Sequence, residues 1–302
     1  MSLSAPQQGP LDETSAWLLL TRLSELASLG RPITQRCGLR LDPAGRVEQT
    51  TFDQGWVSVD PERELELASS HALTPAAAQM LELYLPLCIG EKSVTRVVAH
   101  VGQSLDGQIA TRSGASRYVT GPENIRHLHC LRALSDAVIV GASTVDHDDP
   151  KLTTRLVSGP NPTRVVIDPG LRLSEERELF KDDEVRTIVV CARGRAAGKR
   201  LGSAEIVELD SDSTVLGPAA IVECLARYGL KRLFIEGGGV TVSRFLEARA
   251  LHRLHVTIGS IFVGRGRPGI SLPELDDLDH ALRPRTRRFH LGNDVLFDCA
   301  LS

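Results

Sequence analysis

From Val94 onward, short runs rich in Val and Ile alternate with amphipathic segments, and this alternation constrains the fold more than any other feature. AVIV (137–140) and the VVI of RVVI (164–167) are continuously apolar, not apolar at every second position. A strand with one face in water alternates, whereas a strand covered on both faces does not. Covered strands separated by helices define an α/β fold around a mainly parallel sheet. The pattern predicts strands at 96–102, 137–141, 164–168, 187–191, 206–209, 231–235, 253–258 and 295–300, and helices at 122–134, 217–228 and 240–248. The final stretch, RRFHLGNDVLFDCAL, reads instead as an antiparallel hairpin about Gly292-Asn293. A mixed sheet flanked by helices is therefore expected.

Upstream the pattern differs. Residues 1 to about 12 read as disordered. A helix is predicted over 15–29, with Trp17, Leu19, Leu20, Leu23, Leu26 and Ala27 on its apolar side and Gly30 as its stop. LRLDPAGRVEQT (39–50) reads as strand, DPAG turn and strand, and WVSVD (56–60) as a further strand. Thr74-Pro75 opens a second helix through Leu85, since Thr caps well and Pro suits a first turn. The change of pattern near 89–93 divides the chain into a small α+β N-terminal extension, 1–93, and an α/β domain, 94–302.

The net charge of −3 gives no bulk attraction to nucleic acid or anionic membrane. Apolar runs fall short of membrane-spanning length, and MSLSAPQQGPLDET has no signal-peptide character. The six cysteines form no CxxC pair, which argues against a zinc ribbon or redox dithiol. They read as buried thiols of a reducing compartment, and the chain as a cytoplasmic protein.

Several stretches bear on chemistry. SLDGQIA (104–110) ends the first domain strand; Asp-Gly is a common turn pair, so a plain turn and a ligand-facing strand end are both open. In KRLFIEGGGVTVSRFLEA (231–248) a buried strand ends in Glu236, then three glycines, then a helix. Glycine lets backbone approach a ligand and a helix start offers amides to an anion, so a phosphate cradle is favoured over a tight turn. GRGRPG (264–269) fits a dinucleotide fingerprint by letter only; no helix follows it, and it reads as a flexible loop.

In LRALSDAVIVGASTVDHDDPKLTTR (131–155) a helix and a buried strand lead to an acidic loop at the strand's carboxyl end. Ligands bind there in open α/β sheets. The spacing of Asp146, His147, Asp148 and Asp149 matches no calcium or zinc loop, so no metal is expected. A carboxylate there suits a proton donor or polar anchor. Arg132 and Arg155 bracket the segment and together read as a phosphate clamp. His127 and His129, two apart on a helix, read as structural or surface residues, and RPRTRR (283–288) as a solvated strand approach.

Five blocks occur in order: SLDGQIA, SGASRYVTGPEN, LRALSDAVIVGASTVDHDDPKLTTR, RVVIDPGLRL and FIEGGGVTVSRFL. Together they resemble the reductase half of the bifunctional riboflavin-biosynthesis deaminase-reductase, over roughly residues 94–302. The resemblance implies a dihydrofolate-reductase-like mixed, mainly parallel sheet flanked by helices, and a homodimer. It implies NADPH-dependent reduction of the ribosyl group of 5-amino-6-(5-phosphoribosylamino)uracil to the ribityl form. It further implies cofactor contacts at Gly102, Tyr118, Thr144 and Asp148, with Gly238, Gly239 and Val240 at the pyrophosphate. Substrate contacts would fall to Ser116, Arg132, Leu152, Arg155 and Glu236. Arg132 and Arg155 suit the substrate phosphate, and Asp148 the proton that reaches the sugar. SLDG would meet nicotinamide and sugar.

The chain departs from the family at three places. His100 stands where the family often has Lys, and a titrating group there would shift the pH optimum. Pro169 replaces a small polar residue near the adenosine ribose. The deaminase zinc signature, H-x-E with P-C-x-x-C, is nowhere in residues 1–93. Two other readings stand beside this one: a related reductase of another heterocycle, such as a pterin or a specialised-metabolism pyrimidine, and a non-catalytic nucleotide-binding protein.

Overall fold

A computed structural model describes residues 10–60, 72–90, 94–210 and 215–301. The expected disorder of residues 1–12 lies mostly outside the described residues, as do 91–93 at the expected boundary. The chain divides into two compact units, Met1–Val94 and Thr95–Ser302.

The first unit holds α1 (Glu13–Ser28), β1 (Cys37–Leu41), β2 (Val47–Thr50), β3 (Val57–Val59) and α2 (Pro75–Cys88). Asp12 caps α1 by accepting from the Ser15 amide at 2.8 Å, and Thr74 caps α2 by accepting from the Ala77 amide at 3.2 Å. Trp17 of α1 meets Tyr84 of α2 edge to face, their ring centroids 6.1 Å apart. The three strands form one antiparallel sheet with β1 central. Gly38 and Gly55 press backbone to backbone there; a Cβ on Gly38 would lie 2.7 Å from the Gly55 nitrogen.

The second unit runs β4 (Arg96–Ser104), β5 (Gln108–Thr111), α3 (Pro122–Ala133), β6 (Ala137–Gly141), α4 (Ala142–Asp148), β7 (Thr163–Ile167), α5 (Glu178–Lys181) and β8 (Thr187–Ala192). It continues β9 (Glu205–Leu209), α6 (Pro218–Arg227), β10 (Arg232–Glu236), α7 (Gly239–Glu247), β11 (Arg253–Gly259), β12 (Gly266–Pro268), β13 (Arg285–Leu291) and β14 (Asp294–Ala300). Among the described residues, nine strands form one sheet in the order β13-β14-β11-β4-β10-β6-β7-β8-β9. From β11 to β9 every neighbour is parallel; β14 and β13 close one edge as the antiparallel hairpin expected from Gly292-Asn293. The architecture is the mixed, mainly parallel sheet with flanking helices that the alternation predicted.

The continuously apolar strands are the central ones. Every residue of β6 is buried, and Val165 and Val166 of β7 are fully covered. Two local expectations fail. Gly266–Pro268 of GRGRPG is not a flexible loop but a short strand paired antiparallel to β5. The segment after β6 is not an acidic loop but the helix α4, closed by Asp149 in the left-handed region at φ 41°. In each case the deciding contacts are tertiary, and no local pattern carries them.

A buried polar seam joins α3 to the sheet. His100 Nε2 lies 2.9 Å from Asn124 Oδ1 and 3.1 Å from Thr257 Oγ1, and His127 Nε2 lies 3.1 Å from His255 Nδ1. Burial, reinforced by the neighbouring His255, pushes His100 down to about 3. It stays neutral across the physiological range, which overturns the expectation that it titrates near the pH optimum. His127 and His129 are both buried, so the structural reading holds and the surface one does not. All six cysteines are buried thiols outside any disulfide. No helix of the described residues is long and apolar enough to cross a membrane.

Candidate active site

The sheet reverses its winding where β10 inserts between β4 and β6. Ligands of open α/β sheets bind at the carboxyl ends of the strands flanking such a switch point. A cavity of about 290 Å³ opens there. Residues after β4 (Ile109, Ala110, Gly114, Ser116), after β6 (Ser143, Thr144, His147, Asp148) and after β10 (Gly238, Gly239, Val240) line it. Arg267 and Pro268 of β12, with Ser271, complete the wall.

The glycines are required for two different reasons. Gly237 and Gly238 hold φ of +76° and +72°, a region other residues enter only with strain. Gly239 starts α7, and a Cβ there would sit 2.4 Å from the Pro268 carbonyl oxygen and 2.7 Å from that of Gly269. The glycine run therefore serves packing of the β12 segment as well as the cavity. The Thr241 and Val242 amides donate to the Gly238 carbonyl oxygen at 2.8 and 3.1 Å, whereas the first two positions of α7, Gly239 and Val240, stand at the cavity.

The acidic residues of the α4 region separate by their partners. Asp146 pairs with Arg177, and Asp149 accepts from the Glu178 amide at 2.9 Å. Only Asp148 remains at the cavity, where it is the one carboxyl in the wall among the described residues. His147 donates from Nδ1 to the Ser143 carbonyl oxygen at 2.6 Å, which leaves Nε2 as an acceptor toward Arg267 Nη2 at 3.5 Å.

Six of the twelve residues singled out in the sequence meet here: Ser116, Thr144, Asp148, Gly238, Gly239 and Val240. Gly102, Tyr118, Arg132, Leu152, Arg155 and Glu236 do not line this cavity. Gly102 lies within β4, where a Cβ would come 3.1 Å from Thr120 Cγ2. Tyr118 is 88% exposed at φ 68°, and Leu152 is buried at φ 54°. Both hold a left-handed backbone that costs a non-glycine residue about 1 kcal/mol or more.

Arg132 departs most from expectation. It is buried in α3 and grips Glu236 at the end of β10: Nε donates to Oε2 at 2.6 Å and Nη2 donates to Oε1. Nη1 donates to the Thr153 carbonyl oxygen at 2.7 Å. Its guanidinium is committed to the protein, so the two arginines do not form a matched clamp. Arg155 is exposed, with Nη1 on Thr153 Oγ1 at 3.1 Å and its amide donating to His129 Nδ1 at 2.8 Å.

SLDG also has a definite task. Asp106 accepts from the Ser104 hydroxyl at 2.5 Å and from the amides of Val263 and Gly264 at 3.1 and 2.7 Å. These bonds, the Ser104 one foremost, hold its carboxyl down at about 2. SLDG is thus a turn that ties β4–β5 to the chain leading into β12. Within SLDGQIA only Ile109 and Ala110 reach the cavity, contrary to the expectation that SLDG itself faces the ligand. Arg267, Ser143 and Ser271 were not singled out, and His147 was weighed only as a metal ligand. The only trace of Arg267 was its place in GRGRPG, which local context had dismissed.

A mixed, mainly parallel sheet with a glycine turn and a cavity at its switch point defines an α/β protein whose ligand site lies at the carboxyl ends of its strands. Residues 95–296 match the model of the RibD C-terminal domain family, and the chain belongs to that family. It is 32% identical over 183 residues to the 2,5-diamino-6-ribosylamino-4(3H)-pyrimidinone 5′-phosphate reductase of Archaeoglobus fulgidus, covering 56% of this chain and 81% of that protein. The reductase of the same name from Methanothermobacter thermautotrophicus is 31% identical over 211 residues, 67% of this chain and 96% of that protein. Riboflavin biosynthesis protein RibD of Aquifex aeolicus is 30% identical over 198 residues, covering 64% of this chain; the chain spans about half (54%) of that protein's length. The fold matches the deaminase/5-amino-6-(5-phosphoribosylamino)uracil reductase of Thermotoga maritima with a TM-score of 0.60 at 22% identity, over 77% of this chain and 65% of that one. It also matches riboflavin biosynthesis reductase Rib7 of Saccharomyces cerevisiae, with a TM-score of 0.55 at 23% identity, over 69% of this chain and 90% of that one.

Proposed function

We propose that this chain reduces the ribosyl group of 5-amino-6-(5-phosphoribosylamino)uracil to the ribityl form with NADPH, in riboflavin biosynthesis. The observation that carries the reading is the meeting of Ser116, Thr144, Asp148 and the Gly238–Val240 turn in one cavity of a RibD-family reductase domain. The donor set suits a nicotinamide dinucleotide: leading helix amides, two hydroxyls on α4 and one arginine. Gly238, Gly239, Val240 and Thr144 would hold it, with Gly102 and Tyr118 as outlying contacts. When bound it supplies the hydride.

The protein's own part is positioning and proton handling. As the sugar ring opens, its C1–O bond breaks and the oxygen needs a proton. Asp148, the cavity's one carboxyl, is placed to pass it on. Ser116 also lines the cavity and suits a substrate hydroxyl or phosphate. Glu236, fixed by Arg132, offers an oriented carboxylate to the pyrimidine or sugar hydroxyls, and Leu152 is a further substrate contact. Arg155 is left as the exposed cation for the substrate phosphate. The protein acts as a homodimer in the cytoplasm.

The test is NADPH oxidation followed at the nicotinamide absorbance, with freshly made 5-amino-6-(5-phosphoribosylamino)uracil. A parallel arm uses the 2,5-diamino pyrimidinone phosphate named for the archaeal relatives. Turnover of the uracil supports the reading as stated. Turnover of the diamino compound alone corrects the substrate and keeps the reaction. Turnover of neither overturns it.

A further inference from the structure

The arginines near the strand ends differ in what already neutralises them. Arg132 is paired with Glu236, and Arg177 with Asp146. Arg267 pairs with no carboxylate among the described residues. Its Nη2 lies 3.5 Å from His147 Nε2, and its guanidinium packs on Gly114, whose Cβ would lie 3.3 Å from Nη2. Among the described residues it is the only Lys or Arg in the cavity wall. An uncompensated guanidinium in a concave site focuses its field on an anion and offers a two-pronged donor to phosphate oxygens.

Its place in the fold selects the anion. Arg267 lies one residue before Pro268, whose carbonyl oxygen rests over Gly239. The arginine therefore shares a wall with the glycine turn, whereas Arg155 is outside the cavity. We infer that Arg267 is a cofactor-binding residue, supplying the positive charge for the diphosphate of a nicotinamide dinucleotide, and that His147 positions it. The inference rests on the cofactor reading above and adds to it a residue from the segment that local context had set aside.

His147 acts through geometry. Its Nδ1–H is held by the Ser143 carbonyl, so Nε2 faces the arginine as an acceptor. The pair spans from α4 to β12, and without it the long arginine side chain gains rotamer freedom that binding must remove.

The experiment is a fluorescence titration of the full chain with NADH and with NADPH, before and after Arg267→Ala, Arg267→Lys, His147→Ala and the Arg267→Ala/His147→Ala pair. Arg267→Ala should weaken both dinucleotides alike, by about tenfold or more, as loss of a charge-assisted hydrogen bond does. It should also flatten the dependence of affinity on salt. Arg267→Lys should recover part of the loss. His147→Ala should weaken binding less, and should add nothing once Arg267 is gone.

Loss for NADPH alone would place the arginine on the 2′-phosphate and overturn the diphosphate assignment. A rise only in the KM for the phosphorylated pyrimidine would overturn it too, as would unchanged affinity in a folded variant. Additive losses in the double variant would remove His147 as the positioning residue. If the wild-type protein bound neither dinucleotide, the cofactor reading would fall together with this inference. If the wild type bound and Arg267→Ala bound equally well, only this inference would fall.

Discussion

Arg132 and Glu236 face each other as a two-pronged ion pair, their side chains 8% and 13% exposed, at the carboxyl end of the strand that feeds the glycine turn. The pair fixes where β10 ends and how the Glu236 carboxylate points. A pair this covered is costly to break from one side, because the remaining charge keeps its desolvation penalty without its partner. Arg132→Ala is expected to destabilise the protein by about 3 kcal/mol, read by urea denaturation. A loss below about 1 kcal/mol would mean that the pair is a weak surface contact.

Arg155 should behave in the opposite way. It is exposed and bonded only lightly through Thr153. Arg155→Ala should leave the denaturation midpoint in place and raise the KM for a phosphorylated substrate by about tenfold. An unchanged KM removes it from phosphate binding.

The glycine turn makes a paired prediction. Gly239→Ala forces a methyl against two carbonyl oxygens of the β12 segment, so backbone must move, at a cost of about 1–3 kcal/mol and with displacement of the cavity wall. Gly237→Ala meets no atom within 4 Å but is held at φ +76°, so it should cost only about 1 kcal/mol of backbone strain. Calorimetry should rank Gly239→Ala as the more damaging. The reverse order would show that the turn, and not the β12 contact, demands glycine.

His100 gives a pH dependence with a definite sign. Its folded value is about 3 against 6.5 when free, so between those limits the unfolded chain binds more protons. Its contribution is complete above about pH 6.5 and is lost as pH falls toward 3, at about 1.4 kcal/mol per pH unit. His127, pushed down first by burial and then by His255 and His100, adds to the same trend. His100→Gln should flatten the fall in stability between about pH 7 and about pH 5. An equally steep fall in the variant would acquit His100.

Asp148→Asn keeps the shape of the cavity wall and removes the carboxyl proposed to handle the proton. Cofactor affinity should stay within about threefold while turnover drops at least about tenfold. Single-turnover absorbance traces separate the two, and unchanged turnover would exclude Asp148 from the proton path.

The sequence by itself determined the class of fold and much of the site's framework. Continuous Val/Ile runs mark strands covered on both faces, and β6 and β7 lie where those runs stand, because burial imposes its period on neighbouring residues. GlyGlyGly before a helix marked a close backbone approach, and Gly237 and Gly238 take positive φ there because glycine has no Cβ. The tertiary structure alone decided which charges are available for chemistry. Arg132 meets Glu236 across 104 positions and His147 meets Arg267 across 120, separations over which no local periodicity speaks. The order of strands brings these groups together, and it leaves Asp148 and Arg267 open to a ligand while Arg132, Asp146 and Asp149 are spent on the fold. Partner choice follows from three-dimensional proximity and desolvation, and these exist only once the sheet has formed.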